Sequence, residues 1–287
     1  MWNERLNEKF TNRLIGYCQN KRVVVVGNAI SLFANKYGNF IDSFDVVVRM
    51  GKGVPRPEFR EFLGVKTDVW VGSILRAHNY RDFQDAPFKV INITQIPLYD
   101  DNRANVSIPK IFYSKDFQLY RDYFLIGNYD MTRSLIRHAY GRVNKDERMS
   151  QGAMVLSYFT NIIKSYKELH VIGFDFFEGK LQYKLPGENE VNEVSSFHLP
   201  IPTTKGQNSN PHVGLYNPEA YVSGESLDKK YIEKLITNKK IIFHKMENIK
   251  PPPENIELIV SKCRPKATLV TTDDNISEAE RDNEISN

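Results

Sequence analysis

The sequence predicts an α/β protein, a Rossmann-like and mostly parallel sheet with helices on both faces and a long lid loop. Three observations carry that expectation. The runs Val23-Val24-Val25-Val26 and Val46-Val47-Val48 are apolar without alternation, as strands covered on both faces of a parallel sheet must be. Short runs of this kind alternate with helical patterns for most of the chain. The first run ends on Gly27-Asn28 and a turn of small residues, at the strand end where open α/β sheets bind ligands.

Met1 to Phe10 is an amphipathic, charged segment rather than a signal peptide. Lys21 to Val26 is the first strand and, after a loop and a short helix, Asp42 to Met50 delivers the second. Thr67 to Val71, ending at Gly72-Ser73, reads as the third, Phe88 to Ile93 as the fourth and Lys110 to Tyr113 as the fifth. Asp130 to Ala139 reads as a helix with Asp130 as its cap and Gly141 as its stop. A second helix starts near Ser150, where Met154, Val155, Tyr158, Phe159, Ile162 and Ile163 form a core-facing stripe. Between 185 and 225, Pro186-Gly187, Pro200, Pro202, Pro211 and Pro218 exclude long regular elements, so this stretch is the expected lid or acceptor loop. Leu227 to Ile236 returns to helix, and Ile241 to Phe243 is a short last strand. Periodicity is lost after Pro251-Pro252-Pro253. The expected organisation is one α/β domain over 1–250 and an acidic, flexible tail over 251–287.

The chain's 287 residues, 41% of them hydrophobic, suffice for one large core. Its net charge of +4 hides an asymmetry: residues 273–287 hold six acidic residues against Arg281 alone, leaving 38 basic and 29 acidic residues in the remainder. A body that basic favours an anionic partner, although lysine-rich surfaces also serve solubility alone. No run of 18 apolar residues predicts a membrane span. Cys18 and Cys263 are spaced for neither a staple nor a metal site, which points to a reducing compartment.

The candidate site residues follow from the strand ends. Gly27, Asn28 and Ser31 follow the first strand, and Gly27 admits an anion close to backbone amides. Ser150, Gln151 and Gly152 open a helix whose unpaired amides and dipole suit a phosphate, an ordinary serine cap being the simpler alternative. Arg49 ends the second strand and could meet a phosphate or carboxylate, or form a buried ion pair. Asp175 follows Gly173-Phe174 at a later strand end, facing the same crevice as Gly27 or capping the next turn. The dinucleotide fingerprint is missing, since Gly27 lacks its two companion glycines and Asp45 starts its strand instead of ending it. No Asp-X-Asp triplet occurs in the chain.

The run Val24-Val25-Val26-Gly27-Asn28 through Tyr37-Gly38, Ile41-Asp42 and Asp45 to Met50 resembles the large sialyl motif of the animal-type sialyltransferases, glycosyltransferase family 29. Ser150 to Leu156 leading to Glu168-Leu169-His170-Val171-Ile172-Gly173-Phe174-Asp175 resembles the small sialyl motif, and Lys66 to Trp70 shares the family's character. The resemblance spans about residues 20–245. It implies a sialyltransferase-like variant of the GT-A fold and an inverting, metal-independent transfer from a nucleotide sugar, CMP- or UDP-linked, to an acceptor hydroxyl. The nucleotide sugar is a co-substrate, and no cofactor is expected.

The departures are equally specific. Relatives join a cysteine in each motif as a disulfide, where this chain has Val23 and Tyr166. The asparagine expected after Arg49-Met50 is Gly51, and the family's base histidine aligns with Ser223, its companion acid with Asp228. The base therefore falls to His212, then His198, both in the expected lid, and after them to Asp175 or Asp68. The resemblance implies a glycan acceptor made in a bacterial cytosol. The basic body and the altered positions leave open a phage enzyme that modifies hydroxymethylated DNA bases, and the missing histidine leaves open a non-catalytic nucleotide- or polyanion-binding domain.

Overall fold

The computed structural model describes residues 4–50, 57–73, 87–92, 124–127, 129–141, 149–176, 181–184, 191–194 and 227–246. The helices are α1 (Glu4–Cys18), α2 (Gly38–Asp42), α3 (Arg60–Leu63), α4 (Tyr129–Tyr140), α5 (Gln151–Tyr158) and α6 (Leu227–Thr237). The strands are β1 (Arg22–Val26), β2 (Val46–Met50), β3 (Val69–Ser73), β4 (Phe88–Asn92), β5 (Phe124–Gly127), β6 (Glu168–Ile172), β7 (Leu181–Lys184), β8 (Val191–Val194) and β9 (Ile242–His244). Seven of them form one sheet in the order β5-β4-β3-β2-β1-β6-β9, with every neighbouring pair parallel. β7 and β8 pair as a separate antiparallel hairpin.

The valine runs explain the layering. Val23, Val25, Val46 and Val48 face a core shared with Phe10 and Leu14 of α1, Leu135 of α4, Leu156 of α5 and Ile232 of α6. Val24, Val26 and Val47 face the other side, packing with Ile30, Phe33, Ile41 and Phe62 around the short helices α2 and α3. Each buried valine contributes roughly 1.5–3 kcal/mol of hydrophobic stabilisation, which a strand with one wet face would earn at only half its positions. Helices on both faces follow from that requirement.

The chain leaves β1 outward through β2, β3, β4 and β5, then returns to place β6 on β1's other side. Strand order therefore reverses between β1 and β6, and the crevice at their carboxyl ends is the position where open α/β sheets take ligands.

Several expectations shift. The amino-terminal segment is a full helix, α1, whose Phe10, Leu14 and Cys18 are buried at i, i+4, i+8 spacing. The sheet's fifth strand is Phe124–Gly127, while Lys110 to Tyr113 lies outside the described residues. α4 begins at Tyr129, which puts Asp130 in its first turn instead of at its cap, and the Gly141 amide bonds the Arg137 carbonyl at its end. Val191–Val194 is a strand inside the region read as irregular, because it finds its partner in Leu181–Lys184. The expected tail at 251–287 lies outside the described residues. Among the described residues, no helix is long and apolar enough to cross a membrane.

Candidate functional site

The β1–β6 reversal brings predicted residues together and fills part of the space expected for a ligand. The Gly27 amide donates to the Ile172 carbonyl at 2.8 Å and the Ala29 amide to the Gly173 carbonyl at 3.2 Å, sewing the two strand ends together. A side chain at Gly27 would overlap the Gly173 carbonyl and come within 2.8 Å of the Phe174 ring. At Gly152 it would come within 2.5 Å of the same ring. The two glycines thus bracket Phe174. The room they make, expected to admit a phosphate, is occupied by this ring, and sequence patterning offered no sign of it because Phe174 reads as one more apolar residue at a strand end.

Ser31 and Asp175 meet across the crevice. Ser31 is fully buried in the 3₁₀ turn Ile30–Ala34 after β1, and its Oγ donates to Asp175 Oδ2 at 2.8 Å. Asp175 is half-buried, three residues beyond β6. A carboxylate held from a buried hydroxyl keeps a fixed direction and can accept a further hydrogen bond from a sugar hydroxyl or take its proton. Asn28, half-buried beside Ser31, donates from Nδ2 to the Met50 carbonyl at 3.2 Å and so ties β1 to the end of β2.

The amino end of α5 is closed by the protein itself. Ser150 Oγ accepts the Ala153 amide at 3.2 Å, an ordinary N-cap, and the Ser150 amide donates to Asp228 Oδ2 at 3.0 Å. The Tyr140 hydroxyl donates to the other oxygen of Asp228. One buried carboxylate from the first turn of α6 therefore lies at the positive end of α5 and binds the end of α4. The expected phosphate seat at Ser150 already holds an anion. Only Asp228's place in the first turn of a helix hinted at this, because its partners lie 78 and 88 residues away in the chain. Gln151 Nε2 donates to the Val71 carbonyl at 3.0 Å, so α5 is also fixed to the middle of β3.

Arg49 corrects a prediction. Its side chain is fully buried; Nε donates to the Lys66 carbonyl at 2.9 Å and Nη2 to the Leu63 carbonyl at 2.6 Å. Burial pulls its pKa down to about 10 against the opposing pull of Asp42 and Asp68. Asp42 accepts the amides of Val65 and Lys66 in the same turn, so the pair clamps residues 63–66 from both polarities. Arg49 is a brace of the fold and does not face the crevice.

Asp68 also leaves the list of bases. It sits before β3 at the opposite edge of the sheet, accepting the Tyr17 hydroxyl and the Val47 amide, both at 2.8 Å. His170 and His244 pair with each other, Nδ1 to Nε2 at 2.9 Å, and His170 Nε2 meets Glu168 Oε2 at 3.1 Å. Burial, then the neighbouring His170, holds His244 below its ordinary pKa. His212 and His198 lie outside the described residues. Among the described residues, no cluster of three or more His, Cys, Asp or Glu side chains could hold a metal ion.

A parallel sheet whose strand order reverses over a polar crevice defines the class of open α/β proteins that bind their ligand at the carboxyl edge. Within that class, residues 7–177, more than half of the chain, match glycosyltransferase family 29 (sialyltransferase), and the chain belongs to that family. It is accordingly a glycosyltransferase. Two crystal structures of a mammalian sialyltransferase, one in complex with Gal-beta-1-3GalNAc-ortho-nitrophenol, align with 85% of this chain and 80% of theirs. Identity is 14% and the TM-score 0.48 in both cases. No curated protein matches the sequence. At the positions where family relatives carry paired cysteines, Val23 is fully buried and Tyr166 packs against the same core cluster. Cys18 is a free, buried thiol, pushed by burial up to about 12.

Proposed function

We propose that the chain moves a sugar from a nucleotide-sugar donor to an acceptor hydroxyl in one displacement with inversion, without a metal ion. The observation that carries this reading is the Ser31–Asp175 pair held at the strand-order reversal of a family 29 sheet. One displacement needs a base on the acceptor side of the anomeric carbon and polar groups around the leaving phosphate. Asn28, Ser31 and Gln151 line the carboxyl edge where the donor would lie. Asp175 orients a sugar hydroxyl, and His212 removes the acceptor proton, with His198 the second choice.

The experiment is transfer from CMP- and UDP-sugars by the purified protein, with and without a strong chelator. Turnover is expected to survive chelation. His212→Ala is expected to lower kcat by about 10²- to 10⁴-fold with donor affinity nearly intact, because a general base acts in the transition state. Full turnover in His212→Ala removes that residue as base, and complete loss on chelation, restored by a divalent ion, removes the metal-free mechanism.

A further inference from the structure

The edge of the sheet opposite the crevice carries a second surface. Three neighbouring parallel strands, β1, β6 and β9, begin there, and the segments that lead into them hold Lys21, Arg22, Lys164, Lys167, Lys234, Lys239 and Lys240 against only Glu168 and Glu233. Glu168 is already committed to Arg22 at 3.6 Å and to His170 at 3.1 Å. Lys164, Lys167, Lys234, Lys239 and Lys240 are all exposed, and none makes an ion pair among the described residues.

The turns that present them are held by backbone hydrogen bonds. The Asn20 amide bonds the Ser165 carbonyl at 2.9 Å and the Lys167 amide bonds the Lys21 carbonyl at 2.8 Å, so the first two turns are stitched together. The Lys239 and Lys240 amides close onto Ile236 and Leu235, both at 2.9 Å. Lys164 and Lys239 are held left-handed, at φ of 48° and 53°, where glycine or asparagine is easier to place. A lysine there costs backbone strain and returns an ammonium at the tip of the turn.

A second, independent feature lies among these charges. Ile236 and Ile242 are 37% and 45% exposed, and they flank the Lys239-Lys240 turn from the end of α6 and the start of β9. Lysines alone suit any polyanion. Exposed isoleucines set between them add nothing to a phosphate backbone, but they match the boundary of a bilayer, where aliphatic side chains enter the acyl region and ammonium groups stay with anionic headgroups. We infer that the amino-terminal edge of β1, β6 and β9 docks the protein peripherally on an anionic lipid surface. The crevice then faces away from the lipid by the length of a strand, roughly 17 Å for five residues.

The test is co-sedimentation of the full chain with vesicles of phosphatidylcholine alone and of phosphatidylcholine with phosphatidylglycerol, beside retention on immobilised heparin. Binding to the anionic vesicles only is expected. The triple variant Lys167→Glu/Lys234→Glu/Lys240→Glu should lower the vesicle partition coefficient by about 100-fold or more, at near 1 kcal/mol per basic residue. Ile236→Ser, in the last turn of α6, should lower it by about tenfold while heparin retention stays unchanged. Absence of binding to anionic vesicles, or equal binding to neutral ones, overturns the inference. Vesicle binding indifferent to Ile236→Ser overturns it too, because the edge would then be a generic polyanion surface such as one for nucleic acid.

Discussion

At the carboxyl ends of β1 and β6 the protein fills its own crevice with Asp228, Asp175 and the Phe174 ring, whereas at the amino ends of the same strands it exposes lysines on turns held by backbone hydrogen bonds. One end is built by long-range contacts that join β1, β6, α4, α5 and α6. The other joins its turns through backbone hydrogen bonds and leaves its lysine side chains in solvent. Substitutions should therefore unfold or disable the molecule at the first end and leave it folded at the second, and that contrast can be broken or sharpened experimentally.

The largest effect is expected at Gly27. A valine there must displace the Gly173 backbone as well as the Phe174 ring, and backbone cannot move out of the way as a flexible side chain can. Overpacking of this kind costs about 3 kcal/mol or more, so Gly27→Val should lower Tm by about 10 °C in a thermal melt, while Lys167→Glu leaves it unchanged. Equal melting of both variants would erase the distinction between the two edges.

Asp228→Ala comes next. It leaves the Ser150 amide and the Tyr140 hydroxyl without their carboxylate, at about 1–3 kcal/mol for each of these half-buried groups. Chemical denaturation should show a loss of about 2–4 kcal/mol, with Asp228→Asn losing less because its amide oxygen still accepts one of the two bonds. Wild-type stability in Asp228→Ala would mean that α5 and α6 do not depend on this joint.

Much of the sheet was legible because it obeys one rule. Strands buried on both faces must be apolar, so the valine runs of β1 and β2 stand out, as does the start of a helix near Ser150. β5 is four residues long and β8 lies among prolines and glycines, so neither carries a pattern strong enough to read alone. The site was less legible for a different reason. Ser31 and Asp175 are 144 residues apart, yet both follow strand ends and were foreseen as facing one crevice. Arg49 was misread because the carbonyls that bind it come from a turn 14 and 17 residues later. The filling of the glycine gaps by Phe174 and of the α5 terminus by Asp228 depends on tertiary packing that no local pattern encodes.

The smallest effect is expected at the histidine pair on β6 and β9. His244 has its pKa depressed in the folded state, so the stability it contributes is present above its ordinary value of 6.5 and is lost as pH falls through the lower folded value. Tm should decline over that acidic window by no more than about 3 °C, and His244→Gln should flatten the decline. A pH profile identical in the variant would remove the pair as a source of acid sensitivity.

The most direct measurement of the proposed chemistry is titration calorimetry of CMP and UDP into the wild-type protein and into Asp175→Ala, read beside the anomeric configuration of the product by NMR. We expect one of the two nucleotides to bind wild type, weaker binding or lost transfer in Asp175→Ala, and a product of inverted configuration. Nucleotide binding and transfer both unaffected by Asp175→Ala, or a product of retained configuration, would contradict a single displacement at the β1–β6 crevice.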